Sequence, residues 1–285
     1  MKNKKNIIEI EGRKIGDYEP TFIVAEIGIN HNGDIENAKE LILSAKKAGA
    51  DAVKFQTYIT EKRILEKNPI YKILKKCELS EENTKELLNF AESNAIIFFS
   101  TPFDKESVDL LKDINIPLLK IASFDLLNKK LLRSVAKTGI PIIISRGASN
   151  IEEIDQALEI FENHNSKYAI LHCISSYPTK EEDVNLNIIK SLKNRYNCPI
   201  GYSDHTLGIE TAYLSVVAGA CIVEKHFTLD NEQEGPDHKL SANPEMFKEL
   251  VNKIRRIEVI LGSDEIKMQN CEKEIMSYRD YRKST

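Results

Sequence analysis

PIGYSDHTLGIETAYLSVVAGACIVEKHF, residues 199–227, holds one complete strand–helix–strand step. PIGYSDH (199–205) and CIVEKHF (221–227) are short apolar runs of strand length, and IETAYLSVVAGA between them has helical spacing. Each run closes on polar residues, Ser203-Asp204-His205 and Glu224-Lys225-His226, so two histidines stand 21 positions apart. A crossover of this length brings the chain back parallel to itself.

The same step recurs along the chain. FIVAEIG (22–28), DAVKFQT (51–57), AIIFFST (95–101), PLLKIAS (117–123), PIIISRG (141–147) and YAILHCI (168–174) are further apolar runs, each followed by a helical pattern. They are apolar throughout rather than alternating, the mark of a parallel sheet buried on both faces. Eight strand–helix units predict a closed (β/α)8 TIM barrel in preference to an open sheet. The length of 285 residues suits one such barrel of roughly 250 residues with additions. NIIEIEGRKIGD alternates around EGRK and predicts a small hairpin. The expected division is a hairpin capping the barrel over residues 1–18, the barrel over 19–263, and a polar, irregular tail over 264–285.

Basic and acidic residues nearly balance, 40 against 44, and the short MKNKK start is the strongest basic run. Nothing in this charge pattern favours nucleic acid or an anionic membrane as partner. No run approaches the roughly 20 apolar residues of a membrane span, and the N-terminus has no apolar signal core. A cytoplasmic protein is expected. The cysteines at 77, 173, 198, 221 and 271 form no C-x-x-C pair. They are read as scattered thiols rather than a disulfide framework or zinc cage.

In a barrel the reactive groups belong at the C-terminal ends of the strands. There the sequence places Glu26, Lys54, Gln56, Ser100, Thr101, Lys120, Ser123, Ser145, His172, Ser203, His205, Glu224 and His226. Polar groups closing buried runs are costly unless paired, so one shared polar pocket is expected. His205 and His226 leave neighbouring strands roughly 4.8 Å apart, close enough to reach one ion at roughly 2.0–2.2 Å. The other reading is that each hydrogen-bonds a loop. Lys54 and Lys120 have three readings: a phosphate or carboxylate site shared with Thr101, Ser123 and Ser203, a Schiff-base lysine, or ion pairs with Glu26 and Glu224. Tyr177 in SSYPTK and Asp237 and His238 in GPDH, on loops past the strands, are further candidates. His31 in NHNG reads as a turn residue and His164 as a helix end. No P-loop, dinucleotide fingerprint or G-x-S-x-G is present.

AEIGINHNGD, DAVKFQTY, STPFD, LKIAS, HCISSYPT, GYSDHT, EKHFT and GPDH follow one another in this order across nearly the whole barrel. In these segments the chain resembles the sialic acid synthase family, which makes nine-carbon 2-keto sugar acids. The resemblance implies an N-acetylneuraminate synthase-like transferase. Such an enzyme condenses phosphoenolpyruvate with an N-acylated amino sugar, typically N-acetylmannosamine, and releases phosphate. It implies a divalent ion on His205 and His226, commonly manganese, with magnesium or cobalt as alternatives. It assigns Lys54, Thr101, Lys120, Ser123, Ser145 and Ser203 to phosphoenolpyruvate, Gln56, Asp125, Tyr177 and Asp237 to the sugar, and Glu26 to acid/base work.

The chain departs from the family's pattern in three places. SRGAS replaces the usual S-T-G-M, so Arg146 is expected to carry charge into the rim. Asp125 replaces the usual Glu. The resemblance implies a homodimer: family members usually carry a small C-terminal antifreeze-like domain that in the usual dimer reaches over the partner's pocket. This chain ends in YRKST about where the linker to that domain would begin. The readings left open are a truncated chain, a lid supplied by a separate antifreeze-like protein, and a barrel that works without one. A non-catalytic or split-enzyme barrel that binds the same substrates is the alternative function.

Overall fold

The computed structural model describes residues 7–283. The MKNKK start, Asn6 and the final Ser284–Thr285 lie outside the described residues. Strands β1 (Ile8–Ile10) and β2 (Arg13–Ile15) form an antiparallel hairpin. The next eight are β3 (Phe22–Gly28), β4 (Ala52–Thr57), β5 (Ile97–Pro102), β6 (Leu119–Ile121), β7 (Ile142–Ser145), β8 (Tyr168–His172), β9 (Ile200–Asp204) and β10 (Ile222–His226). They pair in sequence order, and β10 closes on β3 with Ile222 opposite Phe22. The fold is the (β/α)8 barrel that the repeated unit predicts, and the open sheet is excluded.

The intervening helices form where caps and apolar spacing agree. Asp34 starts the helix Ile35–Ala48 by accepting from the backbone N–H groups of Glu36 and Asn37, and Gly49 ends it at φ 96°. Between them Ala38, Leu41, Ile42, Ala45 and Ala48 turn one face to the sheet. Ser80 caps Glu81–Ser93, and Asn150 with Glu153 makes a capping box on Ile151–Glu162. Such caps contribute about 0.5–2 kcal/mol each. One core runs through the barrel and into the helix layer. Ile8, Ile10 and Ile15 of the hairpin join that core. Arg13 ties the hairpin to the start of β3 by donating to the Pro20 carbonyl at 2.9 Å. The hairpin is therefore anchored beside the start of β3, at the opposite end of that strand from Glu26.

Two segments differ from expectation. Strand β6 is only three residues long, because the chain turns after Ile121 into a 3-10 turn, Ser123–Asp125. The tail is more regular than its composition suggests: it holds a 3-10 turn, Asn270–Glu272, and a helix, Lys273–Lys283. Most of its described side chains are exposed.

Candidate active site

Side chains alternate between the two faces of a strand, so each barrel strand aims every second residue at the axis. Glu26, Lys54, Gln56, Thr101, Lys120, Ser123, Ser145, Tyr177, Ser203, His205, His226 and Asp237 all line one cavity of about 200 Å³ at the mouth. Asp125 is not among the lining side chains. It sits on the 3-10 turn with Oδ2 buried and unpartnered, and burial raises its pKa to about 6.

The same alternation corrects three expectations. Ser100 and His172 end their strands but do not line the cavity, while their neighbours Thr101 and Cys173 do. Ser100 bonds Thr57 at 2.7 Å between strands, and His172 donates from Nε2 to the Val184 carbonyl at 2.7 Å. Arg146 does not carry its charge into the cavity: its Nε donates to His172 Nδ1 at 3.3 Å and its Nη1 to the Ser149 carbonyl at 3.4 Å. His31 accepts the Gly33 N–H on Nδ1 at 3.1 Å, a turn residue as read. His238 bonds Thr228 at 2.7 Å and holds the loop, leaving Asp237 as that loop's cavity residue.

The floor of the cavity is a charge network. Lys54 lies 2.7 Å from Glu26 and 3.7 Å from Glu224, and donates to Thr101 Oγ1 at 3.2 Å. Lys120 lies 3.5 Å from Glu224 and donates to Ser145 Oγ at 2.7 Å. The ion-pair reading of both lysines is therefore realised. All four charged groups are buried. Burial and the nearby Glu224 raise the pKa of Glu26 despite Lys54. For Glu224, Lys120 and Lys54 outweigh burial and lower it. The carboxyls are thus pushed apart, and Glu26 takes a proton first. Burial also lowers Lys120.

Two glycines make room for this network. Gly28, at φ 56°, stands where a Cβ would come 3.1 Å from Glu26 Oε1. At Gly147 a Cβ would lie 2.4 Å from Ser175 Oγ, the partner of Ser123, and 2.7 Å from Cys173 Sγ.

The two histidines meet above this floor. Their ring centroids are 5.6 Å apart, and Tyr177 packs on His205 at 4.1 Å. His205 Nδ1 donates to the Ile174 carbonyl at 2.7 Å, so in the neutral ring Nε2 carries the lone pair. Ser203 stands 3.4 Å from that nitrogen, but its one proton goes to Glu224 at 2.8 Å. His226 Nδ1 is buried with no hydrogen-bond partner and lies 3.9 Å from Asp237. Burial lowers the pKa of both imidazoles, which favours the neutral form that ligates metals. Among the described residues no group of three or more His, Cys, Asp and Glu is spaced to hold a metal. Two available histidine nitrogens suit an ion with open coordination positions, as catalytic ions have, rather than a closed structural site.

Arg63, Phe103, Phe124, Cys173 and Glu224 also line the cavity. Glu224 was visible as a strand-end carboxylate. Arg63 lies in the long connection after β4, where no period in the sequence reports which side chains fold back over the mouth.

The NeuB family model matches residues 41–266. A Methanocaldococcus jannaschii protein of uncharacterised function is 56% identical over 259 residues, covering 90% of this chain and 77% of that protein. The N,N'-diacetyllegionaminic acid synthase of Legionella pneumophila is 42% identical over 285 residues, covering 91% and 80%. The crystal structure of the sialic acid synthetase of Leptospira borgpetersenii, in complex with citrate, superposes with TM-score 0.94 at 41% identity over 97% of each chain. With most of the barrel matched and identities of this size, the chain belongs to the NeuB family, the family of these sialic-type acid synthases.

Proposed function

We propose that this barrel condenses phosphoenolpyruvate with an N-acylated amino sugar to give a sialic-type acid and phosphate, with a divalent ion, manganese first, as its cofactor. One observation carries the reading: two buried lysines and two buried histidines converge on a single cavity. The named relatives support the same chemistry.

Lys54 and Lys120 hold the anionic substrate, with the hydroxyls of Thr101, Ser123, Ser145 and Ser203 as further donors. When Glu26 is protonated, two ammonium groups face one carboxylate, Glu224, and the floor is left net positive for a phosphate ester. Gln56, Tyr177 and Asp237 surround the sugar, and Asp125, whose side chain is not part of the cavity lining, is left out of that set. His205 and His226 would hold the ion, which supplies Lewis-acid polarisation of an aldehyde and orients a water when bound. In the reaction C3 of phosphoenolpyruvate bonds to the aldehyde carbon, whose oxygen gains a proton. Water adds at C2 and loses a proton. The resulting C2 hydroxyl then gives up its proton as the C2–O bond to phosphate breaks, leaving the C2 ketone and a protonated phosphate. Glu26, the carboxyl on the floor that protonates first, is the acid/base for these transfers.

The test is incubation with manganese, phosphoenolpyruvate and either N-acetylmannosamine or a bacillosamine-derived diacetamido sugar. Phosphate release and a product of nine-carbon acid mass are expected. No phosphate from any amino sugar, with metal bound, overturns the reading.

A further inference from the structure

Arg63 ends the short helix Thr60–Arg63 and lines the same cavity as Tyr177 and the two histidines. Its guanidinium is held in three ways: 3.8 Å from the centroid of Phe103, 4.5 Å from that of Tyr58, and hydrogen-bonded through Nη1 to Gln56 Oε1 at 2.9 Å. Phe103 in turn stacks on the exposed ring of Phe124 at 5.7 Å, with the planes 13° apart. A guanidinium has five N–H donors, and the Gln56 bond uses one. No carboxylate lies within 4.0 Å of it among the described residues, although Asp125 and Asp237 act on it through space. The cavity therefore has a rigid donor edge beside an apolar aromatic shelf.

A ligand group that satisfies both features has an oxygen acceptor with a small apolar substituent. A carbonyl bearing a methyl group fits. A dianion fits less well, because the carboxyls of Asp125, Asp237 and Glu26 already act on the same cation through space. We propose that Arg63 and the Phe103–Phe124 stack form the acyl-reading corner of the cavity. Arg63 donates to the acyl oxygen and the stack covers the methyl, so the corner selects an N-acylated sugar over one carrying only hydroxyls. The assignment rests on the reading of this cavity as a sugar site. Arg63 is a specificity residue in it, apart from the groups that do the chemistry.

The test compares wild type, Arg63→Met and Phe124→Ala, each with manganese and phosphoenolpyruvate present. Methionine keeps an aliphatic chain between the rings, and Phe124 is exposed enough to lose its ring without loss of the fold. Calorimetric binding and steady-state kinetics are measured with N-acetylmannosamine, with mannose and with N-acetylmannosamine 6-phosphate. Arg63→Met is expected to weaken N-acetylmannosamine roughly 10- to 100-fold. Mannose binding and the KM for phosphoenolpyruvate stay unchanged. Phe124→Ala reduces the same preference by a smaller factor. Equal loss for mannose and N-acetylmannosamine, no preference in wild type, or a loss confined to the 6-phosphate overturns the proposal. The last result would make Arg63 a phosphate reader. Arg63-dependent binding without phosphate release would sink the proposed reaction and leave this assignment standing. Turnover with an unchanged preference in Arg63→Met would do the reverse.

Discussion

Asp204 and Lys225 form an ion pair at 2.8 Å with both side chains fully buried, on the faces of β9 and β10 that turn away from the cavity. They are direct partners across the two strands. Each is the sequence neighbour of a cavity histidine. Asp204 Oδ1 also accepts from the Thr206 N–H and the Thr211 hydroxyl, both at 2.9 Å, and Lys225 donates to the Thr206 carbonyl at 2.6 Å. A buried pair this well satisfied adds little net stability but resists alternatives. Here it fixes the register that sets Glu224 opposite Ser203, and so holds His205 and His226 level.

The first prediction follows from that clamp. Lys225→Met leaves the Asp204 carboxylate buried without its cation and should lower unfolding stability by about 3–5 kcal/mol. The double variant Asp204→Asn/Lys225→Met buries no lone charge and should recover part of the loss. Urea unfolding of the three proteins decides it. A single variant that costs less than about 1 kcal/mol would show that the pair does not clamp the strands.

Removal of one histidine nitrogen should be felt by the metal alone. His205→Gln or His226→Gln is expected to weaken manganese binding by more than about 100-fold, since changes even behind a ligand cost 10–100-fold. Free manganese can be followed by its electron spin resonance signal. Phosphoenolpyruvate binding, which the lysines supply, should persist without metal. Unchanged manganese affinity in both variants would remove these residues as ligands.

Acid should destabilise the fold through two histidines that lie outside the proposed chemistry. Burial lowers His31 and His172 to about 4 from an ordinary 6.5. The folded protein keeps both neutral while the unfolded chain protonates them. Stability is therefore full above about 6.5 and falls as pH drops toward about 4. Each histidine contributes up to roughly 1.4 kcal/mol per pH unit in that window. His31→Asn, whose Oδ1 can still take the Gly33 N–H, should remove one of the two contributions. Denaturant midpoints at neutral and acid pH measure it. An equal acid slope in the variant would place the proton uptake elsewhere.

The barrel was legible because its signal repeats: eight apolar runs, each followed by a helix, leave little choice of topology. The lining of the cavity was largely legible for a related reason. Once the strands are placed, alternation carries Lys54, Lys120, Ser203 and Glu224 inward with no further information. That rule also decides His172 against Cys173, but only when the strand's phase is known, and the sequence run does not mark which residue faces the axis. Arg63 and the Phe103–Phe124 stack were not legible, because they come from connections whose path depends on tertiary packing. Arg146 shows the limit of reading charge from position. Its backbone stands at the rim, yet His172 and Ser149 supply hydrogen bonds that hold the guanidinium off the cavity.

Glu26 should govern the pH dependence of substrate binding. Burial and the neighbouring Glu224 raise its pKa. Below that pKa the floor has two ammonium groups against the Glu224 carboxylate, and the anion is bound well. As pH rises through it, Glu26 loses its proton, the net charge of the floor falls, and the KM for phosphoenolpyruvate should climb. Glu26→Gln mimics the protonated carboxyl, so its KM should stay low and level across the same range. The variant can no longer exchange a proton, and its kcat should fall by roughly 10²–10⁴-fold. A structural defect would raise KM and lower kcat together at every pH. A level KM with a depressed kcat is the split expected of an acid/base group that also tunes the charge of its own binding site. A KM in Glu26→Gln that still climbs with pH would assign that titration to Lys120, whose pKa burial lowers.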